Sequence, residues 1–167
     1  MYNINRSDWK LLLLWWAVYL STPLLSYFGR PLQHFSETVV EKGIISFTIS
    51  ALLIGLVAAA VILMIRRHGL SSALHLLWLV PILIFIHVGL PNFVERIHFA
   101  IFGLFGFLSL RLFPTITALS LYAFVSIFDE VFQWFLPDRV GDIRDVFFNL
   151  AACSIGAAVA WIAAKSS

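Results

Sequence analysis

Five of the nine acidic residues and two arginines fall in one short stretch of the chain: Asp129, Glu130, Asp138, Arg139, Asp142, Arg144 and Asp145. Carboxylates crowded in this way separate one another's ionisation. One can then hold a proton while its neighbour stays charged, which an acid and a base sharing a site require. Guanidinium groups among them suit phosphate or carboxylate groups on a ligand. A smaller group lies upstream, Glu95 and Arg96 followed by His98. The histidine suits a general base, with Glu130 expected as its orienting partner, and equally a hydrogen-bonded packing residue. The candidate catalytic residues are therefore His98, Glu130, Asp142 and Asp145. The candidate substrate-binding residues are Glu95, Arg96, Asp129, Gln133, Arg139 and Asn149.

Helical spacing groups these residues. Asp142, Asp145 and Asn149 stand at i, i+3 and i+7, with Gly156 continuing the stripe; Glu95, His98 and Phe102 have the same spacing. Glu130 and Gln133 are i, i+3, and Asp129 and Gln133 are i, i+4. A structural account competes with the chemical one. Asp142 can cap a helix, with Asp145 at its third position as in a capping box. Arg139 or Arg144 can neutralise the acids, and Asn149 can bond between helices. His98 with the carboxylates falls short of a metal site, because no His-x-x-x-His or comparable ligand spacing is present. No metal or other cofactor is expected: phosphate-binding glycine loops and dinucleotide fingerprints do not occur, and the one cysteine, Cys153, permits no thiolate cage. Ser126 lacks a nucleophile elbow and reads as a packing residue. His75 and His87 read as interfacial polar residues.

The elements that must position these groups follow from composition. Of 167 residues, 61% are hydrophobic and 12% charged, with a net charge of +2. This excludes a water-soluble domain, which runs near ~45–50% apolar and ~25% charged, and equally excludes a disordered chain. The expected fold is all-α, a polytopic transmembrane helical bundle of about six helices forming a single domain over residues 1–167. The expected spans run from Trp9 to Phe28, Ile44 to Ile65, Leu70 to Leu90, Ile97 to Phe113, Thr115 to Phe135 and Ile143 to Ala164. Trp9, Trp15 and Trp16 are placed near an interface, and Pro81 is expected to kink the third span. Residues 29–43, with Leu32, Phe35 and Val39 on one face, read as a short helix on the membrane surface. Alternating spans bring Glu95, Arg96 and His98 to the same membrane face as the 129–145 cluster. Arg6, Lys10, Arg66, Arg67, Arg111 and Lys165 then lie opposite, against Arg30 and Lys42 once the arginines of the cluster are set aside. The imbalance favours cytoplasmic termini in a multi-pass protein of the cell membrane.

The stretch from Asp129-Glu130-Val131-Phe132-Gln133 through Pro137-Asp138-Arg139 to Asp142, Asp145, Asn149 and Gly156 resembles the signature of the VanZ-like family. Glu95-Arg96-Ile97-His98-Phe99, with Gly103 and Gly106, resembles that family's other block, Arg96 standing where a lysine is frequent. The two blocks, 95–106 and 129–156, leave the first three spans without a comparable motif. The resemblance implies a small integral membrane protein of the cell envelope. It also implies an association with teicoplanin resistance, for which the family is named, and no particular reaction. The expected function is binding, or modification, of a lipid head group or lipid-linked envelope component in an extracytoplasmic notch. The alternative is a non-enzymatic scaffold of envelope machinery whose charged cluster is structural. The expected partners are a membrane lipid or lipid-linked precursor, with room for a membrane-protein partner or a homo-oligomer, and no nucleic acid. Ion conduction ranks last, because spans five and six turn apolar or small toward the cytoplasm.

Overall fold

The computed structural model describes residues 8–39, 42–70, 77–90, 93–137, 139 and 141–165. Among the described residues six helices follow one another: α1 (Asp8–Val39), α2 (Lys42–His68), α3 (Leu79–Gly89), α4 (Phe93–Leu112), α5 (Thr115–Trp134) and α6 (Ile143–Lys165). Four segments of the described residues are long and apolar enough to cross a membrane: Trp9–Phe35, Phe93–Leu112, Thr115–Trp134 and Ile143–Ala164. At 1.5 Å per residue, a 20-residue helix such as α4 spans about 30 Å, the thickness of the hydrocarbon core. The apolar stretch of α2, Gly43–Ala59, is shorter, and α3 has only 11 residues. Among the described residues, four of the six expected crossings are thus matched by helices with the length and apolarity of a span. Pro81 is the third residue of α3. It sits in the first turn, where its missing N–H has no helical partner to lose, so it lies at a helix start and kinks nothing.

The first element also differs from expectation. Residues 29–39 continue α1 without a break, and Pro23 and Pro31 are both inside the helix. Gly29 is buried, and a Cβ there would lie 2.5 Å from an Arg139 terminal nitrogen and 3.2 Å from Val94. Its missing side chain serves close approach, not a turn. Pro23 removes the N–H that would have bonded the Tyr19 carbonyl, and the Thr22 hydroxyl donates to that carbonyl at 2.8 Å. A proline is tolerated in a membrane helix when a neighbouring hydroxyl satisfies the freed acceptor.

Helix α4 is the centre of the bundle and packs most extensively against α6, with α1, α2 and α5 around it. The α4–α6 approach depends on glycines. A Cβ on Gly156 would overlap the Gly103 carbonyl, and one on Gly106 would overlap the Cys153 carbonyl. Small residues are what allow two membrane helices to bring their backbones together. Phe102, Phe105, Leu108, Val125, Ala152 and Cys153 fill the core between α4, α5 and α6. Trp15 joins them. Its ring packs on Phe105 and Phe113 and its indole N–H donates to Ser109 at 2.8 Å, so it is a core residue, whereas Trp9 and Trp16 are exposed.

Helix α5 is polarised inside out. Its buried stripe is Ala118, Tyr122, Val125, Ser126, Asp129, Glu130 and Gln133, while Ile116, Leu119, Phe124, Ile127 and Phe128 face outward. Lipid accepts the apolar face, and the polar groups are left to pair inside the bundle.

Candidate functional site

The N-terminal ends of α4 and α6, the C-terminal end of α5 and the loop joining α5 to α6 meet at one end of the bundle around a cavity of about 280 Å³. Glu95, His98 and Phe99 of α4, Glu130 and Gln133 of α5, and Arg144, Asp145, Phe148 and Asn149 of α6 line it, together with Arg139 from the loop and Leu90 and Val94 beside α3. Seven of the ten candidate site residues are thereby brought together. Arg96, Asp129 and Asp142 are outside the lining.

Each of those three has a different duty. The Arg96 guanidinium is buried and turned away toward α2 and α3. Its Nε donates to the Leu90 carbonyl (2.8 Å) and one terminal nitrogen to the His87 carbonyl (3.0 Å), while the other donates to the Ser50 hydroxyl (2.6 Å). It holds the end of α3 and a residue of α2 against α4. His87 adds an Nδ1 contact to Ser50 at 3.2 Å, more than an interfacial position would require. His75 and Asp138 lie outside the described residues.

Asp142 is the N-cap of α6. Its Oδ1 accepts the Arg144 N–H at 2.8 Å and its carbonyl accepts the Asp145 N–H at 2.9 Å, the geometry of an acidic cap at the positive end of a helix. In a capping box the third residue returns to the cap's own N–H. Here that N–H donates to Glu130 Oε2 at 3.0 Å, so a carboxylate of α5 completes the cap of α6. The loop between them is drawn tight by the Trp134 indole, which donates to the Gly141 carbonyl at 2.8 Å. A Cβ at Gly141 would overlap the Trp134 ring, which explains the glycine.

Asp129 is 1% exposed and accepts three hydrogen bonds. Ser26 of α1 donates to Oδ1 at 2.6 Å, Gln133 donates to Oδ2 at 2.9 Å, and His98 Nε2 lies 3.0 Å from the same Oδ2. The orienting carboxylate of His98 is therefore Asp129 and not Glu130, whose oxygens face the Asp142 N–H and, at 3.4 Å, Gln133. Phe102 stacks beneath the imidazole at 4.9 Å, so a carboxylate and an aromatic ring fix its plane while His98 lines the cavity. An Asp-held histidine of this kind can take or give a proton at its second nitrogen.

Two lining groups carry unpaired donors. Asn149 is 4% exposed and its amide Nδ2 has no hydrogen-bond partner among the described residues; nor has Nε of Arg139. Arg139 forms no ion pair among the described residues, although Asp129, Glu130 and Asp145 are near enough to influence it. Burial first, and then the neighbouring Arg30, lowers its pKa from the ordinary guanidinium value, while those three acids raise it. Arg144 is more exposed, with Nε 3.8 Å from Asp145 and 4.0 Å from Asp142 and its guanidinium 6.0 Å above the Phe148 ring. Buried polar groups are nearly always paired, so two orphaned nitrogens on residues that line one cavity set this end of the bundle apart. Ser126 Oγ is also unpartnered, but it lies in the core and not on this wall. Among the described residues no three His, Cys, Asp or Glu side chains converge in a metal-holding arrangement.

Ser26, Gly29 and Ser50 support the site and belong to helices without a recognised motif. For α1 the signal lies in the periodicity: Trp15, Val18, Thr22, Ser26 and Gly29 recur every three or four residues, and all are buried. Polar and small residues on one face of an otherwise apolar span mark the side turned to the bundle.

Bundle and cavity together define a multi-pass helical membrane protein with a polar, half-open site between its central helices. The chain belongs to the VanZ/LLP1 family, whose model matches residues 11–164, nearly the whole chain and all six helices. No curated protein and no solved structure matches it.

Proposed function

We propose that the cavity binds the head group of a membrane lipid or of a lipid-linked cell-envelope component, on the extracytoplasmic side of the membrane. The observation that carries this reading is a cavity at the end of membrane-spanning helices that is lined by Arg139 and Asn149, each with one buried nitrogen, Nε and Nδ2, that has no partner among the described residues. An anionic head group would be held by the Arg139 guanidinium beside the Asn149 amide. Apolar Leu90, Val94, Phe99 and Phe148 on the same wall suit the adjoining part of a lipid. Should the bound group also be modified, His98 held by Asp129 is the base that the geometry supports. A role in glycopeptide susceptibility, through binding at the outer leaflet, is part of the same proposal.

A second reading, a scaffold or partner of envelope machinery with a structural charge cluster, draws on Arg96 and Asp142, whose bonds serve helix ends. Substitutions in a host with a measurable envelope-antibiotic phenotype separate the two. Arg139→Gln and Glu130→Gln should abolish the phenotype at unchanged protein abundance. Asp142→Asn should retain it, because asparagine caps a helix as well as aspartate does. Full activity of both cavity variants would sink the binding reading.

A further inference from the structure

The cavity wall is not simply cationic. Beside Arg139 and Arg144 it carries three carboxylates, Glu95, Glu130 and Asp145. Arg144 already stands near Asp142 and near Oδ1 of Asp145, which leaves Arg139, with Asn149, as the anchor for an anion, and Oδ2 of Asp145 outside that pair. A ligand bearing negative charge alone would meet more carboxylates than guanidinium groups, in a setting where charge interactions are poorly screened. A ligand with a phosphate at one end and a cation at the other would match both parts of the wall.

We infer that the site selects a zwitterionic head group, a phosphodiester carrying a primary ammonium. The phosphate rests on Arg139 and Asn149, and the ammonium faces Glu95 and Asp145. This deepens the head-group reading and depends on it. A primary ammonium offers three N–H donors to carboxylates, whereas a quaternary one offers none, so the same site discriminates against trimethylated head groups. Size points the same way. About 280 Å³ lies just below the ~300–1,000 Å³ of typical small-ligand pockets, which is room for a compact head group.

The test is native mass spectrometry of the purified full chain in detergent with four lipids of matched acyl chains: phosphatidylethanolamine, phosphatidylglycerol, phosphatidylcholine and diacylglycerol. Phosphatidylethanolamine should be retained about tenfold more strongly than the others, a difference of one good charge-assisted contact. Arg139→Gln should reduce its retention by a similar factor without changing the melting temperature. Asp145→Asn should move the preference toward phosphatidylglycerol, a gain that an unfolded variant cannot produce. Retention of phosphatidylglycerol equal to that of phosphatidylethanolamine would overturn the zwitterion selectivity, and equal retention of phosphatidylcholine would overturn the preference for a primary ammonium; either leaves the head-group reading standing. Equal retention of all four lipids, unaffected by Arg139→Gln, would overturn both. Binding of soluble glycerophosphoethanolamine as tight as that of the lipid would overturn the membrane source of the ligand.

Discussion

Arg96 and Arg139 look alike in the sequence, each a cation beside acids at a helix end, yet their surroundings give them opposite duties. Arg96 is buried and donates to two backbone carbonyls and a serine hydroxyl. Arg139 reaches the cavity with Nε unpaired. Replacing Arg96 by leucine strands several buried acceptors, each costing about 1–3 kcal/mol, so Arg96→Leu should lower stability by roughly 2–4 kcal/mol. Arg139→Leu should leave stability within about 1 kcal/mol while weakening ligand retention. Thermal unfolding in detergent, read beside lipid retention, checks the contrast; equal melting temperatures for the two variants would refute it. Asp129 and Glu130 teach a related lesson. They are adjacent in sequence but point about 100° apart on α5, so one meets His98 while the other meets the cap of α6.

At the scale of elements, the α4–α6 crossing determines the cavity, because it sets the distance between the His98 side and the Asn149 side. Gly156 abuts the Gly103 carbonyl, backbone against backbone, so an added methyl cannot be absorbed by a rotamer change. Gly156→Ala should cost about 1–3 kcal/mol by forcing the helices apart. Gly55→Ala, where nothing lies within 4 Å, should be neutral or stabilising by up to about 1 kcal/mol through helix propensity. Unfolding midpoints of the two variants test this, and equal shifts would count against the crossing. The existence of α4, α5 and α6 was legible in the sequence, as was the value of their small residues. The continuity of α1 was not, because Gly29 and Pro31 are locally a break signal, overridden by the packing of α1 on Val94 and Arg139.

For the whole molecule, Trp15 near the start of α1 contacts Ser109 and Phe113 at the end of α4, whereas Ser26 further along α1 reaches Asp129 beside the cavity. Helix α1 is therefore antiparallel to α4, and its start lies away from the cavity, as does the end of α6. The start of α1 and the end of α6 share one face, which we propose, from the Lys and Arg balance, to be the cytoplasmic one. A cysteine at exposed Pro137, at the cavity end, should react with an impermeant thiol reagent in intact cells. One at exposed Thr115, at the far end of α5, should react only after lysis. Buried Cys153 stays silent in both. Labelling in the reverse order would invert the orientation. Gly141 suits no such probe, since the Trp134 ring occupies the space a side chain would need.

The membrane as solvent, the helical class and the concentration of charge at one end of the bundle were determined by the sequence alone. They rest on composition and on periodicity along single helices, both local properties. Which charges face the cavity was decided only by tertiary structure. Every buried polar group competes for partners on other helices, and the outcome depends on rotations and close approaches that no single helix specifies. Arg96 found carbonyls of α3 and its neighbouring loop, Asp142 found the backbone of its own helix, and Asp129 found a serine on α1 more than a hundred residues away. Arg139 and Asn149 found no partner for two buried nitrogens, and that difference turns a cluster of charges into a candidate site.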